Sequence, residues 1–167
     1  SYCEILACEL GLSERHREVV RLASQLHDVG KVAIPDSILR KPGKLTPQEF
    51  EVIRTHAEIG HQMLTGSSSE VVRTGATIAL THHERWDGGG YPRELSGEDI
   101  PTEGRIAAIA DVFDALTSDR VYRPAFPVSL ALGALEAERG THFDPQMLDA
   151  FMHALPEVEA VRRTYGD

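Results

Sequence analysis

The chain is poor in several things, and each shortage excludes something. It holds two cysteines, Cys3 and Cys8, in 167 residues. Their spacing of five misses the i, i+4 pairing of helical neighbours, so no local disulfide is expected. Both read as small buried residues, which fits a reducing, cytoplasmic setting. Positive charge is short as well. The formal net charge is −9, which excludes a broad basic face for duplex nucleic acid. It leaves room for a small phosphorylated ligand, because metal ions or a few arginines reverse the sign locally. No apolar run approaches the ~20 residues that cross a bilayer, so no membrane contact is expected. The opening "SYCEILACELG" lacks the basic start and apolar stretch of a signal peptide. Strand-like alternation, repeats and low-complexity segments are missing too, and the length suits one domain.

What is present is helical periodicity. Tyr2, Ile5, Leu6 and Leu10 form a stripe that is already running at the first residue. Ser13 predicts the cap of a second helix, lined by Val19, Val20, Leu22, Ala23 and Leu26, which runs to "HDVGK" and ends at Gly30. "AIPDSILRKPGKL" predicts loop or a short helical turn. Thr46, Pro47 and Glu49 then form a helix start with a capping box. Further helices are expected over 69–82, 104–116, 128–139 and 144–155, with a polar, frayed tail over 156–167. The expectation is an all-α bundle of about seven helices filling one domain over 1–155.

The chemistry concentrates in a few places. His27 and Asp28 stand together where an apolar helix ends. His56 falls on the apolar stripe Phe50, Ile53, His56, Gly60, Met63, so it should face the core. Asp111 sits among Ile106, Ile109, Ala110 and Phe113, where an uncompensated carboxylate is costly. "LTHHERWDGGGYP" packs His82 and His83 against a glycine-rich turn. Side by side on an ideal helix, these two rings diverge by ~100°, so both reach one site only where the helix stops. Each helix that carries these residues has an apolar side facing the same interior, and bundles commonly build metal sites this way. Four imidazoles and two carboxylates exceed the four ligands of one tetrahedral zinc. They suit two ions bridged by a carboxylate. A mixed nitrogen and oxygen set favours iron or manganese, with zinc or nickel as alternatives. Such pairs clamp the attacking and leaving oxygens of a phosphoryl transfer.

These residues resemble a known family. "HDVGK" is similar to the HD signature of metal-dependent phosphohydrolases, and "HHERWDGGGYP" resembles the extended motif of the HD-GYP subfamily. "DVFDALTSDRVYR" and "IPDSILRKPGKLTPQEFEVIRTHAEIG" are similar to the segments around it. The resemblance implies a helical HD fold with a GYP loop beside a two- or three-metal site. It implies a bacterial phosphodiesterase that hydrolyses cyclic di-GMP to pGpG or GMP. Carried onto this chain, the metal ligands are His27, Asp28, His56, His82, His83 and Asp111, with Asp28 bridging. Lys31 would polarise the scissile phosphate or protonate the leaving oxygen. Arg120 and Arg123 would hold substrate phosphate. Gly90, Tyr91 and Pro92 form the GYP loop, with Tyr91 touching the ligand. Glu84 and Asp114 would support the ligands from behind. The family pattern has a further histidine, and in three-metal members a glutamate, at positions that would precede Ser1. It also accommodates an upstream receiver or sensor domain, a protein partner on the GYP loop, and a dimer.

Plainer readings stand beside these. His16, His61, His142 and His153 read as solvated or capping, and Trp86 as packing the loop. Arg15, Arg17 and Arg21 read as a solvated helix face. The competing functions are hydrolysis of another cyclic dinucleotide or nucleotide, and a catalytically weak module that only binds cyclic di-GMP or a protein.

Overall fold

The structure is a computed structural model that describes residues 1–119 and 124–165. Among them there are nine α-helices and no β-strand. The first two, α1 (Tyr2–Glu9) and α2 (Glu14–Ala23), are joined by a short turn. Ser13 caps α2 by accepting from the His16 amide at 3.3 Å. A single turn, α3 (Asp36–Leu39), precedes α4 (Pro47–Leu64). The capping box at the start of α4 is complete, with Thr46 and Glu49 each accepting from the other's amide. Next come α5 (Glu70–Thr81), α6 (Thr102–Thr117), α7 (Val128–Ala137), α8 (Pro145–His153) and α9 (Leu155–Tyr165).

The main core gathers one face each of α1, α6, α7 and α8. Leu6, Ile106, Ile109, Phe113, Leu135, Leu148 and Phe151 are all fully buried there. Phe113 joins the halves, standing edge-on to Tyr2 at 5.3 Å and to Phe151 at 5.1 Å. Each such side chain stabilises the fold by about 1.5–3 kcal/mol. On the other side of α6, α5 packs between α2 and α4, and this half carries the polar cluster.

Three expectations need correction. First, α2 stops at Ala23 and does not run into "HDVGK". His27 and Asp28 lie between two 3-10 stretches, Ser24–Leu26 and Val29–Ala33. Gly30 is not a helix end either. A Cβ there would stand 2.0 Å from the His56 carbonyl oxygen and 2.6 Å from the Gly60 amide nitrogen. Glycine is needed for backbone contact with α4. Second, residues 155–165 are helical and not a frayed tail. Pro156 looked like a stop, but it lies in the first turn of α9, where a missing N–H costs nothing. Val158 is fully buried in the main core. Third, Cys8 is exposed, with an Arg17 guanidinium nitrogen 2.8 Å from its sulfur. Cys3 is buried as expected.

Candidate metal centre

Three histidines are oriented by their own backbone. His27 Nδ1 lies 2.7 Å from the Ser24 carbonyl, and His56 Nδ1 lies 2.6 Å from that of Ile53. His82 Nδ1 lies 3.0 and 3.1 Å from the carbonyls of Ile78 and Ala79. A carbonyl only accepts, so each Nδ1 carries the proton and donates. In the neutral ring, the lone pair is then on Nε2, the nitrogen that faces the others.

These nitrogens converge on Asp28. His56 Nε2 is 3.4 Å and His82 Nε2 is 3.9 Å from Asp28 Oδ1. His83 Nε2 is 3.2 Å from His56 Nε2. One donor atom from each of Asp28, His56, His82 and His83 lies within 4.8 Å of all the others. The second oxygen of Asp28 faces a different group. His27 Nε2 is 3.3 Å and Lys31 Nζ 2.5 Å from Oδ2. His27 Nε2 is also 3.6 Å from Asp111 Oδ1. All six expected ligands are therefore in one place, with Asp28 between two subsets.

His82 and His83 both reach the cluster because α5 ends at Thr81, with His82 as its C-cap. Their rings lie 3.9 Å apart, tilted by 42°.

Among the described residues, Asp28 Oδ1 and His82 Nε2 are buried with no hydrogen-bond partner. Both are acceptors and they face each other, an arrangement that burial penalises unless a cation lies between them. The donor set thus fits a divalent metal ion. The charges agree. Burial holds His56 below its ordinary value, His82 down at about 4 and His83 at about 2, so all three are neutral and able to ligate. Burial opposes a charged His27 too, but hydrogen bonds that it donates to Asp111 and Asp28 outweigh it and raise His27 to about 10. Asp28 is held well below the carboxylate range: burial works against this, and His27 and Lys31 overcome it.

The GYP loop borders this cluster. Tyr91 stacks on His83 with centroids 4.7 Å apart, and the Tyr91-Pro92 bond is cis. Gly90 is pressed against the chain. A Cβ would stand 2.4 Å from the Arg85 nitrogen and 2.5 Å from the His83 carbonyl oxygen. Trp86 packs the loop as expected: its amide donates to the His142 carbonyl at 3.0 Å, and the Arg105 guanidinium lies over its ring.

Glu84 and Asp114 are placed otherwise than expected. Glu84 is buried, but its carboxylate accepts from the amides of Arg93 at 2.7 Å and Leu95 at 3.0 Å. It fastens the loop and hydrogen-bonds no histidine among the described residues. Asp114 is exposed on the wall of a cavity of about 950 Å3, which His27 and Asp111 also line. Arg120 and Arg123 lie outside the described residues. Three of the remaining histidines, His16, His61 and His142, are half-buried and not fully solvated. His61 Nδ1 donates to the Ala76 carbonyl, joining α4 to α5, and His142 stacks on Phe143 at 4.2 Å. His16 pairs with Glu103 and His153 with Glu9.

One residue at the site went unread in the sequence. The Arg54 guanidinium lies over Tyr91, 4.6 Å from its centroid. Nothing in the spacing of Arg54 announces a partner so far along the chain.

Fold and donors together define a helical, metal-binding domain. The chain belongs to the HD domain family, whose model matches residues 1–147. It is 50% identical over 157 residues to a cyclic di-GMP phosphodiesterase response regulator, RpfG, of Xanthomonas campestris pv. campestris (strain 8004), covering 94% of this chain and 42% of that protein. It is 46% identical to the 3'3'-cGAMP-specific phosphodiesterase 2 of Vibrio cholerae, covering 99% of this chain and 32% of the relative. It is 45% identical to a cyclic di-GMP phosphodiesterase of Thermotoga maritima, covering 97% and 44%. The chain thus spans less than half the length of these relatives. A crystal structure of a V. cholerae cyclic GMP-AMP specific phosphodiesterase, V-cGAP3, matches with a TM-score of 0.67 at 19% identity, covering 96% of this chain and 43% of that one. That likeness concerns the fold.

Proposed function

We propose that this chain is the phosphodiesterase domain of an HD-GYP protein and hydrolyses cyclic di-GMP, to pGpG and on to GMP, in cytoplasmic bacterial second-messenger signalling. The observation that carries the reading is Asp28, whose two oxygens face two separate nitrogen groups and whose buried Oδ1 has no hydrogen-bond donor among the described residues. The names of the relatives support the substrate class.

In this reading His56, His82, His83 and Asp28 hold one divalent ion, and Asp28, His27 and Asp111 a second. The family pattern leaves room for a third. Iron or manganese suits the donors best, with zinc or nickel as alternatives. Bound there, the ions supply Lewis acidity toward a phosphoryl oxygen and ease the loss of a proton from water. Lys31 keeps Asp28 charged and stands ready beside the phosphate to protonate the leaving ribose oxygen. Gly90 and Pro92 shape the loop that presents Tyr91 to the ligand. Arg120 and Arg123 would grip phosphate oxygens with their two-pronged guanidinium groups. The response-regulator name of one relative supports an upstream receiver or sensor domain in the full protein. A protein partner on the GYP loop and a dimer belong to the same reading, and sedimentation of the full protein tests the dimer.

Metal content and turnover measured together test the function. His27→Ala and Asp28→Ala are each expected to lose metal and turnover in parallel. Turnover that survives in metal-free protein would sink the reading. A second substrate is favoured by a specific observation, since several relatives at 38–46% identity are named 3'3'-cGAMP-specific. A panel of cyclic dinucleotides separates the two.

A further inference from the structure

The outer face of α4 carries a group that the metal centre does not use. Phe50 is 46% exposed, and its ring stands edge-on to Tyr91 at 6.3 Å. Arg54, one turn further on, places its guanidinium carbon 4.6 Å from the Tyr91 centroid and 5.9 Å from that of Phe50. Only one of its nitrogens has a hydrogen-bond partner among the described residues, donating to Glu51 at 2.9 Å. This tether fixes one end of the fork and leaves the other end open. The side chain is 30% exposed, so a ligand can reach it. Two centroid steps, of 4.7 and 6.3 Å, lead from His83 through Tyr91 to the exposed Phe50 ring. Tyr91 thus lies between the donor cluster and the exposed Phe50 ring.

We propose that Phe50 and Arg54 form the wall that receives a purine base of the substrate, and that Arg54 makes this wall prefer guanine to adenine. The inference rests on the cyclic dinucleotide reading above and adds how one base is chosen. A flat aromatic ring takes any base by stacking, worth about 1–3 kcal/mol. It gives affinity without choice. Choice comes from the base edge. Guanine presents two acceptors, O6 and N7, side by side, whereas adenine presents an acceptor and a donor. A guanidinium fork matches the first pattern and meets a donor in the second. An ammonium group lacks the paired geometry, so lysine is a poor substitute here. The wall therefore acts on the difference between cyclic di-GMP and mixed guanine–adenine dinucleotides.

The test compares the natural chain with Arg54→Lys, Arg54→Ala and Phe50→Ala. Manganese-loaded proteins are assayed for steady-state cleavage of cyclic di-GMP, 3'3'-cGAMP and cyclic di-AMP. Titration calorimetry measures binding of GMP and AMP to each. Melting curves confirm that every variant is folded. Arg54→Ala is expected to raise KM for cyclic di-GMP about tenfold, with kcat within about twofold, and to bring the GMP-to-AMP affinity ratio close to one, while Arg54→Lys lowers that ratio only in part. Phe50→Ala is expected to weaken GMP and AMP alike, by about fivefold. If Arg54 only props Tyr91, its loss lowers kcat for all three dinucleotides in proportion and keeps the GMP-to-AMP ratio, which overturns the proposal. Should the natural chain bind GMP over AMP through Arg54 yet cleave no dinucleotide, the wall stands and the hydrolase reading falls. Should it cleave cyclic di-GMP with a base preference untouched in both variants, the wall falls and the hydrolase reading stands.

Discussion

A histidine that donates its Nδ1 proton to a carbonyl of its own turn has no choice about which nitrogen it offers. His27, His56 and His82 are all held this way, so the inward-facing acceptors are set by local backbone and not by a neighbouring side chain. His142 shows the opposite use of a buried ring. It stacks on Phe143, and burial depresses it from an ordinary 6.5 to about 4. As pH falls, the unfolded chain takes up this proton first. The contribution to stability is fully present above about 6.5 and is lost between there and about 4, roughly 1–2 kcal/mol once solvent access is allowed for. His142→Phe is expected to flatten that part of a melting-temperature profile against pH. A profile identical to that of the natural chain would count against it. Residue by residue, the inward placing of His56, His82, His83 and Asp111 was legible from an apolar stripe or a helix end, whereas His27 and Asp28 reach the cluster from between two 3-10 stretches. For Glu84 the family resemblance implies support of the ligands from behind. Its real partners are amides nine and eleven residues further on. No periodicity links a carboxylate to loop amides.

At the level of elements, the loop after α5 is held at two ends by different means. Gly90 permits close contact with the chain at Glu84 and Arg85, and the Glu84 carboxylate receives the amides of Arg93 and Leu95. Glu84→Ala leaves two amides without an acceptor and is expected to cost about 1–3 kcal/mol. Amide exchange at Arg93 and Leu95 should accelerate, while metal content stays near that of the natural chain. Loss of metal would show that Glu84 serves the donors after all. Caps made several elements readable: Ser13 and Thr46 with Glu49 act at the positions expected, and Ser69 and Asp144 cap α5 and α8 where helices over 69–82 and 144–155 were expected to begin. The 3-10 path around His27 and Asp28 was not readable, because its cause is contact between Gly30 and α4, which only the assembled fold creates.

Across the whole molecule, two halves share α6. One is an aromatic and aliphatic core closed by α9, whose Val158 is fully buried. Val158→Asp would bury a charge without a partner, and an expected loss of about 3–4 kcal/mol corresponds to a melting temperature roughly 10 °C lower. A drop of only a degree or two would mean that α9 is dispensable. The other half holds the donors. Metal ions binding only the folded state at one hundred times their dissociation constant add about 2.7 kcal/mol. Manganese should therefore raise the melting temperature, and a chelator should reverse the gain. No shift in either direction would contradict a metal centre. The contact of Gly30 with the backbone of α4 has a further result. It fixes the spacing of Asp28 from His56 through main chain and not through side chains. The donor side of the site is then a rigid jig, set by backbone contact. The neighbouring wall, where Tyr91 stacks on His83 and Arg54 stands on the half-exposed face of the same α4, is built from side chains and is open to single substitutions. Relatives bearing different cyclic dinucleotides in their names are what such a tool with interchangeable jaws would leave behind.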